Sequence, residues 1–336
     1  MSAFRRFLFF SISLVVLASE MFLSAQTTNK VKYPESIFEN FMSKANIGEK
    51  SGYSDGFILM VEDGKLLYAR LTTHPEKIIP LGETSSALVS LMSQNMQSER
   101  VFDGNVSVND FFSLFRSANS NVKKASVNQL LSGRSGLPYL VEKIPQNSTP
   151  SEFLDALATM NFSLPEANIS APKISTSIAG YAMAYAENSQ SKNLKKTFVA
   201  CSRKYLFAPL KIENVKYRNF DKFIFPASCY ALHFTEIVKW LECETSPKPV
   251  MLSPEIISER RRKIGWDNSQ GWNYVKQFDA VYTQGATGGW RNCVAIFKIG
   301  RKTIALAMFL QGGKVDTTFK FFSDTIFEFN KFIKNQ

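Results

Sequence analysis

Acyl transfer by a serine needs a hydroxyl beside a group that can take its proton. The sequence offers that pairing only formally. Ser120-x-x-Lys123 and Ser189-x-x-Lys192 have the spacing that brings a Lys amine one helical turn from a hydroxyl. Both lie in polar stretches, and so short a string recurs by chance. Ser85 and Ser86 open an apolar run, but three residues further on stand Leu88 and Val89 rather than a base. The two histidines, His74 and His233, are isolated, and no Gly-x-Ser-x-Gly string flanks a strand–helix turn where a triad nucleophile would stand. Cys201, Cys229, Cys243 and Cys293 are spaced by 28, 14 and 50 residues, which matches no zinc pattern. No Gly-x-x-x-x-Gly-Lys phosphate loop occurs. Neither a metal nor a cofactor is expected.

The elements around these residues fall into an ordered series. Gly56–Val61 and Leu66–Arg70 flank a Glu62-Asp63-Gly64-Lys65 turn, a hairpin signal. A buried helix is expected over Leu88–Met96, after Gly82. Helical pieces follow at Glu152–Thr159, Ile178–Asn188 and Thr235–Glu242, the last with Thr235 as its N-cap. Val294–Ile299 and Thr303–Leu310 flank Gly300-Arg301 as a second hairpin, and helices are expected at both ends, over Pro34–Asn46 and Thr317–Phe332. Strands at both ends with helices between predict an α/β (α+β) fold. An antiparallel sheet is built from both chain ends and flanked by terminal helices, with an inserted, mostly helical region beside it. The sheet region is expected at about 34–80 and 255–336, the helical region at about 84–250, in one domain spanning 26–336. The cleft between the two regions is the natural ligand site.

Arg5-Arg6, the apolar run Phe7–Ala18 and the small residues Leu23-Ser24-Ala25 have the layout of a secretory signal peptide over residues 1–25. The apolar run is shorter than the roughly 20 residues a membrane-spanning helix needs. Export to the periplasm or the extracellular space is therefore expected, with no stable membrane anchor after cleavage. Export permits disulfides. A Cys229–Cys243 bond and buried free thiols are both compatible with the spacing. Net charge is +11. The runs Arg260-Arg261-Arg262-Lys263 and Lys195-Lys196 lack interleaved aromatics, so they are read as solvated faces, and no nucleic-acid partner is expected.

Several strings resemble, in order, those of the class C β-lactamase, D-Ala-D-Ala peptidase and esterase family. Leu130-Leu131-Ser132-Gly133-Arg134-Ser135-Gly136-Leu137-Pro138 is similar to its Leu-Leu-Thr-His-Thr-Ser-Gly-Leu-Pro string. Phe207–Ile212 resembles its Pro-Leu-Gly-Met segment, and Ile264-Gly265-Trp266 its Gly-Leu-Gly-Trp stretch. Asp63-Gly64-Lys65 fits its early turn, and Ala286-Thr287-Gly288-Gly289 stands where it has Lys-Thr-Gly or His-Thr-Gly.

The resemblance implies a Ser-x-x-Lys nucleophile at a helix start, a Tyr-x-Asn pair, and a basic residue on a closing strand. Aligned on Gly82, Glu83 takes the nucleophile position and Ser86 the lysine. Thr176 stands for the Tyr and Ile178 for the Asn, while Ala286 replaces the basic residue. A carboxylate at a helix N-terminus is held as an anion and is a poor nucleophile. The chain is accordingly expected to be an exported pseudoenzyme. Its cleft, with Glu83, Thr176, Thr287 and Gly288 as candidate binding residues, is expected to take a peptidoglycan-like peptide or a carboxylated small ligand, or its surface a protein partner. The alternatives are an active serine hydrolase with a displaced nucleophile, and an envelope protein with a collapsed cleft.

Overall fold

Hairpins from opposite ends of the chain meet edge to edge. The computed structural model describes residues 53–113, 124–135, 149–159, 172–217, 225–262, 268–276, 279–312, 320, 324–329 and 331. In chain order, β1 (Tyr53–Glu62), β2 (Lys65–Leu71) and β3 (Ile79–Pro80) lead through a 3-10 turn, Gly82–Thr84, into α1 (Ser85–Ser98). Next come α2 (Val108–Phe111), α3 (Val127–Leu131), α4 (Pro150–Thr159), α5 (Pro172–Glu187) and α6 (Leu194–Ser202), which runs into a π turn, Arg203–Phe207. Then follow β4 (Lys216–Tyr217), α7 (Phe225–Ser228), β5 (Tyr230–Leu232), α8 (Phe234–Thr245) and α9 (Pro254–Arg260). The series ends with β6 (Asn268–Ser269), β7 (Trp272–Val275), β8 (Ala280–Thr287), β9 (Trp290–Ile299) and β10 (Lys302–Gly312).

The large sheet has the order β2-β1-β10-β9-β8-β7-β6, with every described pairing antiparallel. Asp63 and Gly64 both take positive φ, the backbone a two-residue hairpin turn requires. β1 pairs with β10 so that Phe57 faces Phe309, joining the two ends of the chain. Their rings stack at 4.9 Å, and Phe234 of α8 meets Phe57 edge-on at 5.1 Å. One face of the sheet (Phe57, Leu59, Val61, Val294, Ile296) packs on the helical region. The other (Ile58, Met60, Ala295, Phe297, Leu306) is covered by Ile326 and Phe329 near the C-terminus. Burial on both faces explains why β1, β9 and β10 read as continuous apolar runs rather than alternating ones. Both expected hairpins, and the α/β architecture with its inserted helical region, are present.

A buried charge cluster fixes α1 against this frame. Arg260 and Glu244 form an ion pair whose side chains are both fully buried. Glu244 Oε1 also accepts from Trp240 Nε1 at 3.2 Å, and Arg260 donates to the Ala87 carbonyl of α1 at 3.2 Å. Arg260 is thus no part of a solvated basic face, although Arg262 beside it is exposed. The carboxylate that captures it comes from α8, sixteen residues away in sequence.

Other boundaries differ from expectation. The central helix starts at Ser85 rather than Leu88, because polar Ser85, Ser86 and Ser90 are buried along with the apolar residues. The N-cap of α8 is His233, not Thr235. Glu236 accepts from the His233 amide at 2.9 Å and from the Asn214 amide at 3.0 Å, so the helix starts one residue before Thr235. The helical region also holds a small sheet, β3-β5-β4, whose strands are too short to show a period. All four cysteines are free and buried. The segments expected as signal peptide (1–25) and first helix (34–46), and the Ile264-Gly265-Trp266 string, lie outside the described residues. Of the last expected helix, residues 320, 324–329 and 331 are described, and they are helical.

Candidate functional site

The turn that delivers Glu83 is held from three sides. The Leu81 amide donates to the Tyr230 carbonyl at 2.9 Å, continuing the small sheet. Asn292, fully buried in β9, donates from Nδ2 to the Pro80 carbonyl at 2.7 Å. Gly82 has φ +52, in the left-handed region, and a Cβ there would lie 2.9 Å from the Thr287 Cγ2 methyl. A side chain at Gly82 would thus meet both backbone strain and a clash. The Glu83 and Thr84 amides sit at the first turn of the Gly82–Ser98 helical segment, and the Thr84 amide donates to the Leu81 carbonyl at 3.2 Å. Glu83 is half-buried, and Ser85 and Ser86 behind it are buried.

The strand that closes on this tip does so at Gly285. A Cβ at Gly285 would lie 2.5 Å from the Leu81 carbonyl oxygen, 3.0 Å from the Glu83 amide nitrogen and 3.1 Å from the Thr84 amide nitrogen. Gly288 is elsewhere: with Gly289 it forms the two-residue turn between β8 and β9, at φ +55 and +82. Gly285, three residues before Gly288, is therefore the β8 position that meets the helix tip. Ala286 falls on the opposite side of the pleat from Thr283, Gly285 and Thr287, because side chains alternate along a strand; Val281 and Ala280 mark the two sides. No residue of Thr283–Thr287 is basic. The missed signal was a glycine inside a strand, which marks close backbone approach. Asn292, a polar residue within the apolar strand β9, was the second.

Behind the tip, α1 meets α5. Thr176 Oγ1 donates to Ser86 Oγ at 3.2 Å, with both residues buried. The two residues aligned with a lysine and a tyrosine are therefore neighbours, as a hydroxyl pair. Ser135, from the loop after α3, lies 3.1 Å from Ser175 Oγ of α5. Thr176 and Ile178 lie within α5, which begins at Pro172 rather than Ile178; proline is well suited to a first helical position. Ile178 is fully buried in the main core and presents no polar group to the cleft. Thr287 is buried, with its methyl against Gly82.

Among the described residues, the arrangement supplies the Ser86 and Thr176 hydroxyls, bonded to each other, and the Glu83 carboxylate. No lysine or arginine side chain bonds Ser85, Ser86 or Thr176 among the described residues. Ser85 is fully buried, and its hydroxyl has no partner among the described residues. Ser189 and Lys192 sit in the exposed turn between α5 and α6, away from the tip. The Ser120-x-x-Lys123 string lies outside the described residues. No group of three His, Cys, Asp or Glu able to hold a metal occurs among the described residues. Along β8, the strand partner β7 ends opposite Tyr282, leaving the outer edge of Thr283–Thr287 without a strand among the described residues.

No protein-family model matches the sequence, and no curated protein does. Solved structures do. The β-lactamase from Sulfitobacter sp. EE-36 superposes with a TM-score of 0.67 at 13% identity, over 91% of this chain and 100% of that one. FmtA from Staphylococcus aureus gives 0.62 at 12% identity, over 92% and 95%. The octameric penicillin-binding protein homologue from Pyrococcus abyssi gives 0.59 at 15% identity, over 84% and 73%. With the sheet order and the helix tip facing β8, these likenesses give the chain the fold of the serine β-lactamases and penicillin-binding proteins.

Proposed function

We propose that this β-lactamase-like protein is an exported, non-hydrolysing binding protein. The observation that carries the reading is the Thr176–Ser86 hydrogen bond. It supports the reading because Ser86 and Thr176, which the sequence resemblance aligns with an amine and a phenol, are two small hydroxyls bonded to each other, with Glu83 one helical turn before Ser86. A hydroxyl without a neighbouring base stays protonated at neutral pH and attacks no acyl carbon. The ligand we favour is a peptidoglycan-like peptide or another carboxylated molecule laid along the outer edge of β8, past Tyr282, the last residue of β8 that pairs with β7, where an extended chain can add as a strand. A protein partner on the same edge is the variant of this reading.

Labelling with a fluorescent penicillin and with a fluorophosphonate, followed by intact mass, tests it. The expected result is an unmodified chain. A stable adduct on any serine would overturn the reading in favour of a hydrolase with a displaced nucleophile. A thermal shift with D-Ala-D-Ala peptides or cell-wall fragments then separates a ligand-binding role from a purely structural one.

A further inference from the structure

The charge of this chain is concentrated in one segment. Between Gln190 and Tyr217 the sequence carries seven Lys or Arg and one acid, Glu213, which is +6 of the total +11. Lys196, Ala200 and Arg203 recur at helical spacing on one side of α6 and its π turn, opposite the buried Phe198 and Tyr205. Together with Val199, Lys204 and Ala208 they line a groove of about 620 Å³. The floor is apolar and the rim cationic. Lys204 is paired with Glu187 at 2.9 Å yet keeps 60% of its side chain exposed. Lys196 and Arg203 have no ion pair among the described residues; the Arg203 guanidinium lies over the Tyr217 ring at 5.8 Å.

From this we infer that the α6–π-turn face docks on an anionic phospholipid surface. A phosphodiester suits the lining: its charge meets the Lys196, Arg203 and Lys204 rim, and the first methylenes below it meet Val199, Ala200 and Ala208. An acidic peptide suits it less, because no lining side chain can accept from its amide groups. The large exposed apolar residues among those described, Val250 and Phe327, lie elsewhere. The contact is therefore peripheral and electrostatic, not an insertion.

Flotation of the full chain with vesicles tests this, comparing phosphatidylcholine alone with an equimolar mixture containing phosphatidylglycerol. Phosphatidylcholine alone gives the baseline from the N-terminal apolar run. The expected result is flotation that requires phosphatidylglycerol. It should vanish between about 0.1 and about 1 M NaCl, as the screening length falls from about 10 to about 3 Å. The doubly substituted Lys196→Glu, Arg203→Glu chain should bind at least about tenfold more weakly. Should that chain melt earlier than the parent, Lys196→Gln with Arg203→Gln is read instead. Equal flotation with both vesicles overturns the inference, as does binding unchanged by the substitutions. Tighter, substitution-sensitive binding to soluble polyglutamate also overturns it, by assigning the face to an acidic polypeptide.

Discussion

Thr176 of α5 donates its hydroxyl to Ser86 of α1 at 3.2 Å, so the two helices that flank the candidate site are joined by a pair of hydroxyls. Removing one partner leaves the other buried and unpaired, whereas removing both leaves neither. Ser86→Ala and Thr176→Val should each destabilise the chain, by about 1–3 kcal/mol. The double substitution should cost less than the sum, with a coupling of about 1 kcal/mol. Urea unfolding of the four proteins measures this, and strict additivity would remove the bond from the account.

The same pair sets what a rebuilt site can do. Glu83→Ser with Ser86→Lys sets a hydroxyl and an amine one turn apart, so fluorophosphonate labelling should appear at position 83. Turnover of an ester should stay near background, because Thr176 cannot play a tyrosine's part and no basic residue stands at Thr283, Gln284 or Ala286. Intact mass and single-turnover kinetics separate the two readouts.

Much of this frame is legible in the sequence, and what is not has identifiable causes. The hairpins at Asp63-Gly64 and Gly300-Arg301 announce themselves because the turn chemistry and the apolar runs agree. The Gly82 turn is legible because a glycine directly precedes a polar-then-apolar helix start. The closing strand is harder. Thr287-Gly288 offers a two-residue resemblance, but the glycine that matters is Gly285, chosen by contact with a turn some 200 residues away, a distance no local pattern encodes. Arg260 fails for the same reason: its run of charges looks solvated until Glu244 and the Ala87 carbonyl are placed around it.

Gly285 accordingly tolerates no side chain. Its Cβ would fall 2.5 Å from a backbone oxygen, which a rotamer change cannot relieve. Gly285→Ala should cost about 1–3 kcal/mol, the usual range for overpacking, unless β8 moves off the helix tip. A lowered melting temperature checks the first outcome. Hydrogen exchange slowed less at the Glu83 and Thr84 amides than in the parent would report the displacement.

Burial, finally, sets the behaviour of the charge cluster and of the thiols. Arg260→Met leaves the Glu244 carboxylate buried without its cation and should cost about 3–5 kcal/mol near neutral pH. Urea unfolding of the variant and the parent at pH 7 measures the loss. The cysteines follow the same physics: burial pushes the Cys201 and Cys243 thiols up to about 12, with Glu187 adding to the rise at Cys201 and Glu244 at Cys243. Thiolate is the reactive form, so at pH 8 the folded chain should leave all four cysteines unmodified by a thiol reagent, and unfolding should expose four. A titration finding fewer than four in the unfolded chain without reductant would reveal a disulfide in place of two of these buried thiols.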